Sequence, residues 1–358
     1  MPNKLFSLAA PLICTLLLSA TTAVKAQDSG TLPKLAALQG QTSVSGLSSG
    51  AFMAAQFHIA YSEELVGAGV IAGGPWNCAR SHTGLPSINA MSVCMNPCSN
   101  PWMPCNDHSF PDTDRLREMA ERSEKQGDID TLANLTNDKV YLFSGQSDQV
   151  VVTGVMNTTQ DFYAKVGVPA SNIRYNRSVD AGHAMVTDQP DDTPCSLTES
   201  PFINNCGFEQ TERLLQHIYG ALEDAANEAT GRMLQFNQKE FYGDDSAGFA
   251  DTGYLYVPAQ CEEASCRIHV AFHGCEQSVS AVGHDFIEGA GYNEIADNNR
   301  IIVLYPQIKS SLIPVNPMGC WDFWGYNDLP MGPYHFYRKD APQMKAVAAM
   351  IERLTASR

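Results

Sequence analysis

The segment Gly46-Leu47-Ser48-Ser49-Gly50 constrains this chain more than any other. A short β-rich stretch, Thr42–Ser45, runs into it. A helical pattern, Ala51–Leu65, leaves it, with Phe52, Met53, Ala55, Gln56, Ile59 and Ala60 recurring at helical spacing. A Gly-x-Ser-x-Gly between strand and helix demands a tight turn. That turn lifts the serine hydroxyl clear of the backbone, and its small neighbours admit a substrate. The helix start then sets the Ser49 N–H and a partial positive charge beside any developing oxyanion. Ser48 is therefore the candidate nucleophile.

A nucleophilic serine needs a base, and the base needs an orienting acid. In a sheet of this kind the three follow in the order Ser, Asp, His on loops after successive strands. Asp148 directly follows the predicted strand Lys139–Ser144, and His183 follows Ile173–Val179. Asp180 is a rival acid, but it sits too close in sequence to His183 to reach the far ring nitrogen easily. His58 falls on the helix after the turn and reads as a packed or surface histidine. His269, inside a strand, reads as structural.

The strands Val66–Ala72, Lys139–Ser144 and Ile173–Val179 alternate with predicted helices over 156–166 and 210–220. This alternation predicts an α/β chain with a mostly parallel sheet. Further on, Gly253–Pro258, Arg267–Phe272 and Ile301–Tyr305 read as strands, and Gln343–Leu354 as an amphipathic helix. The segments 76–111 and 188–206 read as loops. The strand Arg267–Phe272 ends in His273-Gly274-Cys275, the usual shape of an oxyanion loop, with the Cys275 N–H as the second donor. In the common arrangement that strand precedes the nucleophile, whereas here it follows all three triad candidates. The simplest account is a circularly permuted α/β-hydrolase, a single domain over 27–358 with its first strands moved to the C-terminal side.

Four separated segments then resemble one family, the extracellular poly(3-hydroxybutyrate) depolymerases with the lipase box near the N-terminus. They are Gly46-Leu47-Ser48-Ser49-Gly50-Ala51-Phe52-Met53-Ala54-Ala55-Gln56, Ala72-Gly73-Gly74-Pro75, Phe272-His273-Gly274-Cys275-Glu276-Gln277 and Gly319-Cys320-Trp321-Asp322-Phe323-Trp324-Gly325-Tyr326. The resemblance implies a permuted catalytic domain with Ser48, Asp148 and His183 as triad and the Ser49 and Cys275 amides as oxyanion hole. It implies that Trp321, Phe323, Trp324 and His273 contact the substrate, and that a disulfide joins Cys275 to Cys320. It also implies hydrolysis of short-chain polyhydroxyalkanoate esters with no metal or organic cofactor. A feruloyl or acetylxylan esterase is the alternative, because related secreted esterases share the His-Gly-Cys motif. No linker or separate substrate-binding domain is expected.

Composition bears on compartment and partners. Residues 1–26 carry Lys4, an apolar run from Leu5 to Ala20 and the sequence Val24-Lys25-Ala26, which together read as a signal peptide. The run is short of the roughly 20 residues of a membrane span. Beyond Cys14, ten cysteines remain, an even number that fits disulfides in an oxidising compartment, extracellular or periplasmic. Cys195–Cys206 and Cys261–Cys266 are plausible local pairs, though the sequence leaves connectivity open. Cys94-x3-Cys98 has no matching histidine pair for a zinc site. The net charge is −16, becoming −18 once Lys4 and Lys25 leave with the signal. With no basic stripe, nucleic acid is not an expected partner, and a neutral substrate is.

Overall fold

A computed structural model describes residues 27–28, 30–100, 102, 104–243 and 245–358. The expected signal peptide lies outside the described residues. The strands are β1 Gln27–Asp28, β2 Thr42–Leu47, β3 Leu65–Ile71, β4 Lys139–Phe143, β5 Ile173–Asn176, β6 Met185–Thr187, β7 Thr193–Pro194, β8 Ile203–Asn205, β9 Arg232–Asn237, β10 Thr252–Val257, β11 Arg267–Phe272 and β12 Ile301–Tyr305. The helices used below are α1 Ser49–Ala60, α2 Pro86–Ser92, α3 Thr113–Gln126, α4 Thr153–Lys165, α5 Gln210–Tyr219, α6 Val279–Val282, α7 Asp285–Gly289, α8 Tyr292–Asn299 and α9 Pro342–Thr355.

The main sheet has the order β1-β9-β10-β12-β11-β2-β3-β4-β5. Pairing is parallel from β12 across to β5, while β10 runs antiparallel to both β9 and β12. The central strands are buried on both faces, which is why β12 and β3 read as nearly unbroken apolar runs. One core packs α1, α3, α4 and α9 against one face. The other packs α5, α7 and α8 against the opposite face.

The permutation is visible in the register. Phe272 at the end of β11 lies opposite Gly46 near the end of β2, although they are 226 positions apart in the chain. The Leu35 and Ala37 N–H groups both donate to the Leu354 carbonyl at 3.1 Å, tying the segment before β2 to the end of α9. The fold is therefore an α/β hydrolase entered at its middle strand.

Two segments expected as loops carry structure. Residues 188–206 contain β7 and most of the three-stranded sheet β6-β8-β7. Within 76–111 lies α2, begun by Pro86 at its first position, where a missing N–H costs nothing. Five disulfides are present: Cys78–Cys94, Cys98–Cys105, Cys195–Cys206, Cys261–Cys266 and Cys275–Cys320. They include both local pairs expected from the sequence and the one implied by the resemblance.

Candidate active site

Ser48 sits between β2 and α1 with φ 57° and ψ −123°, a conformation costing a non-glycine residue about 1–3 kcal/mol. The surrounding structure holds it there. Its N–H donates to the Ile71 carbonyl at 3.0 Å, and its carbonyl accepts from Ala51 and Phe52. The two glycines of the motif answer to close packing. A Cβ on Gly50 would lie 2.2 Å from the Phe272 carbonyl oxygen, and one on Gly46 would lie 2.4 Å from the Gly50 carbonyl carbon. Without side chains at 46 and 50, the end of β11 can close onto the turn. Every residue of α1 is buried, so the helix start is fixed in the middle of the molecule.

His183 Nδ1 lies 2.8 Å from Asp148 Oδ2. The other carboxylate oxygen accepts the Val150 and Val151 N–H groups at 2.8 and 2.9 Å. Asp148 is 2% exposed, so the carboxylate is held almost entirely by these three donors. An acceptor-only carboxylate at Nδ1 places the ring proton there and leaves the Nε2 lone pair free. The His183 N–H donates to Thr198 Oγ1 at 2.9 Å, which fixes the backbone of the loop. Asp180 instead accepts the Ser147 hydroxyl and is exposed.

Ser48 and His183 open into one cavity of about 470 Å³. Its walls are mainly apolar, with Phe52, Met91, Met95, Val150, Phe202, Val315, Met318, Phe323 and Trp324 among the lining residues. Gly274 and Cys275 form part of the same wall. The Gly274 N–H is occupied by Gln277 Oε1 at 2.8 Å. The Glu276 N–H goes to the Met318 carbonyl at 2.7 Å. The Cys275 N–H is left without a protein acceptor among the described residues. Ser49, as first residue of α1, has no intrahelical acceptor for its own N–H. Both amides are thus available beside Ser48.

Two of the residues expected at the substrate lie elsewhere. Trp321 is fully buried behind the cavity wall, edge-on to Phe272 at 4.8 Å and to Phe249 at 5.8 Å. His273 is also fully buried. Its Nδ1–H donates to the Gly274 carbonyl at 2.7 Å, and its Nε2 accepts the Ile308 N–H at 3.1 Å. Burial pushes it down to about 4, so it remains a neutral brace of the loop after β11. Phe323 and Trp324 do line the cavity. Phe323 stacks on Phe52 with centroids 4.2 Å apart, and Trp324 stands edge-on to Phe323 at 4.9 Å.

The aromatic loop is held by a carboxylate that sequence reading passed over. Asp322 Oδ1 accepts the N–H groups of Trp324, Gly325 and Tyr326, and its Oδ2 accepts that of Asn327. Burial nonetheless pushes the Asp322 carboxyl up to about 6. The signal was legible: an Asp two to five residues ahead of a Gly-Tyr-Asn turn is the residue type that caps consecutive backbone N–H groups. The apolar lining from Met91, Met95 and Val315 was not. It comes from two separate excursions with no sustained period to mark which side chain points inward.

No family model matches the chain. It is 42% identical over 333 residues to a poly(3-hydroxybutyrate) depolymerase from Delftia acidovorans, covering 91% of this chain and 62% of that protein. It is 37% identical over 320 residues to a polyhydroxybutyrate depolymerase from Talaromyces funiculosus, covering 82% of this chain and 85% of that protein. Two solved structures share the fold. One is a PHB depolymerase carrying a serine-to-alanine substitution and complexed with an R3HB trimer, at TM-score 0.79 and 33% identity. The other is a PHB depolymerase from Penicillium funiculosum, at TM-score 0.78 and 34% identity. Each covers 91% of this chain and 98% of its own. The expected alternative, a feruloyl or acetylxylan esterase, finds no support among these relatives. By the extent of these identities, the chain belongs to the poly(3-hydroxybutyrate) depolymerase family.

Proposed function

We propose that this protein is a secreted serine esterase that hydrolyses poly(3-hydroxybutyrate) or related short-chain polyhydroxyalkanoates and their oligomers. The observation that carries the reading is the Asp148–His183 pair facing an apolar cavity that also holds the strained Ser48. An apolar cavity with one reactive hydroxyl suits a neutral polyester, and the membership in a depolymerase family supports that substrate.

In this reading His183 Nε2 takes the Ser48 proton as Oγ attacks the ester carbonyl. The Ser49 and Cys275 amides receive the oxyanion, a contribution worth about 2.7–4 kcal/mol per donor. His183 then protonates the departing hydroxyl, and the acyl group stays on Ser48. Water, losing its proton to His183, attacks the acyl-enzyme; His183 returns that proton to Ser48 Oγ as the acyl–oxygen bond breaks, and the released carboxylic acid ionises at neutral pH. Asp148 keeps Nδ1 protonated and stabilises the imidazolium. Phe323, Trp324 and Phe52 pack on the chain and its methyl branches. The five disulfides support residence in an oxidising compartment. Incubating the mature protein with amorphous poly(3-hydroxybutyrate) and analysing soluble products tests the reading. Hydroxybutyrate monomers and oligomers are expected from the wild type and none from Ser48→Ala. Turnover retained by Ser48→Ala would overturn it.

A further inference from the structure

A second concavity, of about 550 Å³, lies away from Ser48 at the edge of the main sheet where β4 meets β5. Its floor is Tyr141 on β4, which pairs with Arg174 on β5. Arg213 of α5 closes it from the side, its guanidinium 3.9 Å from the Phe208 ring centroid. No aspartate or glutamate lines it.

Three observations single this groove out. First, the chain carries a net charge of −16, and Arg117, Arg232, Arg338 and Arg353 are each paired with a carboxylate. Arg174 and Arg213 have no carboxylate partner among the described residues, although both are exposed in the same groove. Second, the Tyr141 side chain is 1% exposed, and its hydroxyl meets the Asn176 and Gln210 side chains without completing a well-aligned hydrogen bond to either. Third, the neighbouring Gln210 amide is fixed by its oxygen, which accepts the Val186 N–H at 3.2 Å. Its buried Nε2 is left without an acceptor. A buried donor left unsatisfied costs about 1–3 kcal/mol. Two such donors beside two guanidinium groups without a carboxylate partner make a site rich in donors and free of anionic groups.

We infer that this groove binds the carboxylate of a released hydroxyalkanoate, as a second ligand site distinct from the ester-cleaving cavity. Arginine forks match a planar carboxylate, and the Tyr141 hydroxyl can donate from below. The identity of the ligand rests on the proposed reaction, whose acyl half leaves as an anion. The net negative charge disfavours that product over much of the surface, whereas the groove offers it two cations. The groove is also linked through the backbone to the segments that carry His183 and Asp148. Val179 lines it four residues before His183, and the Val179 carbonyl accepts the Gln146 N–H at 2.9 Å, in the loop leading to Asp148.

Calorimetric titration of the full chain carrying Ser48→Ala tests this, with sodium 3-hydroxybutyrate, its methyl ester and sodium sulfate as separate titrants. The inactive serine removes turnover, so failure of the depolymerase reading would not imitate failure here. Sodium 3-hydroxybutyrate is expected to bind, and the neutral ester to leave the groove empty. Arg174→Gln with Arg213→Gln should weaken carboxylate binding at least about tenfold, and Tyr141→Phe should weaken it by less. The same arginine changes in the active enzyme should leave turnover of a soluble chromogenic ester unchanged. Acid affinity unaltered in the double arginine variant, ester affinity weakened by those arginine changes as much as acid affinity, or sulfate binding as tight as 3-hydroxybutyrate would each overturn the assignment.

Discussion

Ser49 Oγ accepts the Trp321 backbone N–H at 3.3 Å, joining the serine turn to the aromatic loop across 272 residues of chain. The same side of α1 is linked again by Gln56 Nε2, which donates to the Asp322 carbonyl at 3.0 Å. The residue beside Ser48 therefore positions the wall that carries Phe323 and Trp324.

Ser49→Ala keeps the backbone amide and deletes only this link. We expect a stability loss of about 0.5–1.5 kcal/mol, the usual net value of one hydrogen bond. KM for a soluble oligoester should rise while kcat stays close to wild type. Urea unfolding and steady-state kinetics check both, and a large fall in kcat would show that the side chain acts in the reaction itself.

Asp148→Asn preserves an acceptor for the Val150 and Val151 N–H groups but turns an amide NH₂ toward His183 Nδ1. That favours the tautomer with its proton on Nε2, which cannot take the Ser48 proton. We expect kcat to fall by about 10⁴-fold with the fold intact. Circular dichroism alongside turnover separates this from unfolding.

Replacing Cys275 and Cys320 together by serine opens a loop with a sequence separation of 45. The expected destabilisation is about 2–4 kcal/mol. Because the Cys275 amide sits in the released loop, kcat should also drop, by up to the 10²–10³-fold that one oxyanion donor is worth. Thermal unfolding and kcat on a chromogenic ester are the measurements.

His269 bridges two serines of β2, with Nδ1 2.6 Å from Ser43 Oγ and Nε2 2.8 Å from Ser45 Oγ. Burial pushes it down from 6.5 to about 3. The unfolded chain therefore binds a proton below pH 6.5 that the folded chain refuses until about pH 3, and stability from this group is lost as pH falls through that window. In His269→Gln the penalty is absent. We expect the stability advantage of wild type over the variant to shrink by about 1.4 kcal/mol per pH unit below 6.5. Denaturant titrations at pH 7, 6 and 5 read it. Taking the difference removes the opposite contribution of Asp322, whose folded value is raised to about 6.

Where a side chain's role follows from a period or from a turn, sequence was enough to place it. The strands β11 and β12 fall where their apolar runs put them, and the Ser48 turn is set by its two glycines. Two elements with weaker signals were passed over. In β9 only Leu234 and Phe236 are buried, an alternation inside a polar sequence. In α3 the apolar residues are few, although Asp112 caps its start and Gly127 its end. Trp321 and Trp324 show the limit. They stand three residues apart in a loop, with one in the core and the other in the cavity. No repeat in an irregular segment records which way each faces. Their sorting is decided by the Asp322 cage and the Cys275–Cys320 bridge.

The seam between β2 and β11 has a consequence for when the enzyme becomes one. Ser48, Asp148 and His183 are all synthesised before the strand that closes onto the serine turn, and Phe272 must travel back to Gly46 to complete the sheet. A contact this remote in sequence is slow to form, because the whole intervening chain must be brought together first. A nascent chain can carry Ser48, Asp148 and His183 and still lack the 273–275 loop, the Phe52–Phe323 stack and the far wall of the cavity. On the proposed reading, competence for ester cleavage therefore arrives with the last quarter of the chain.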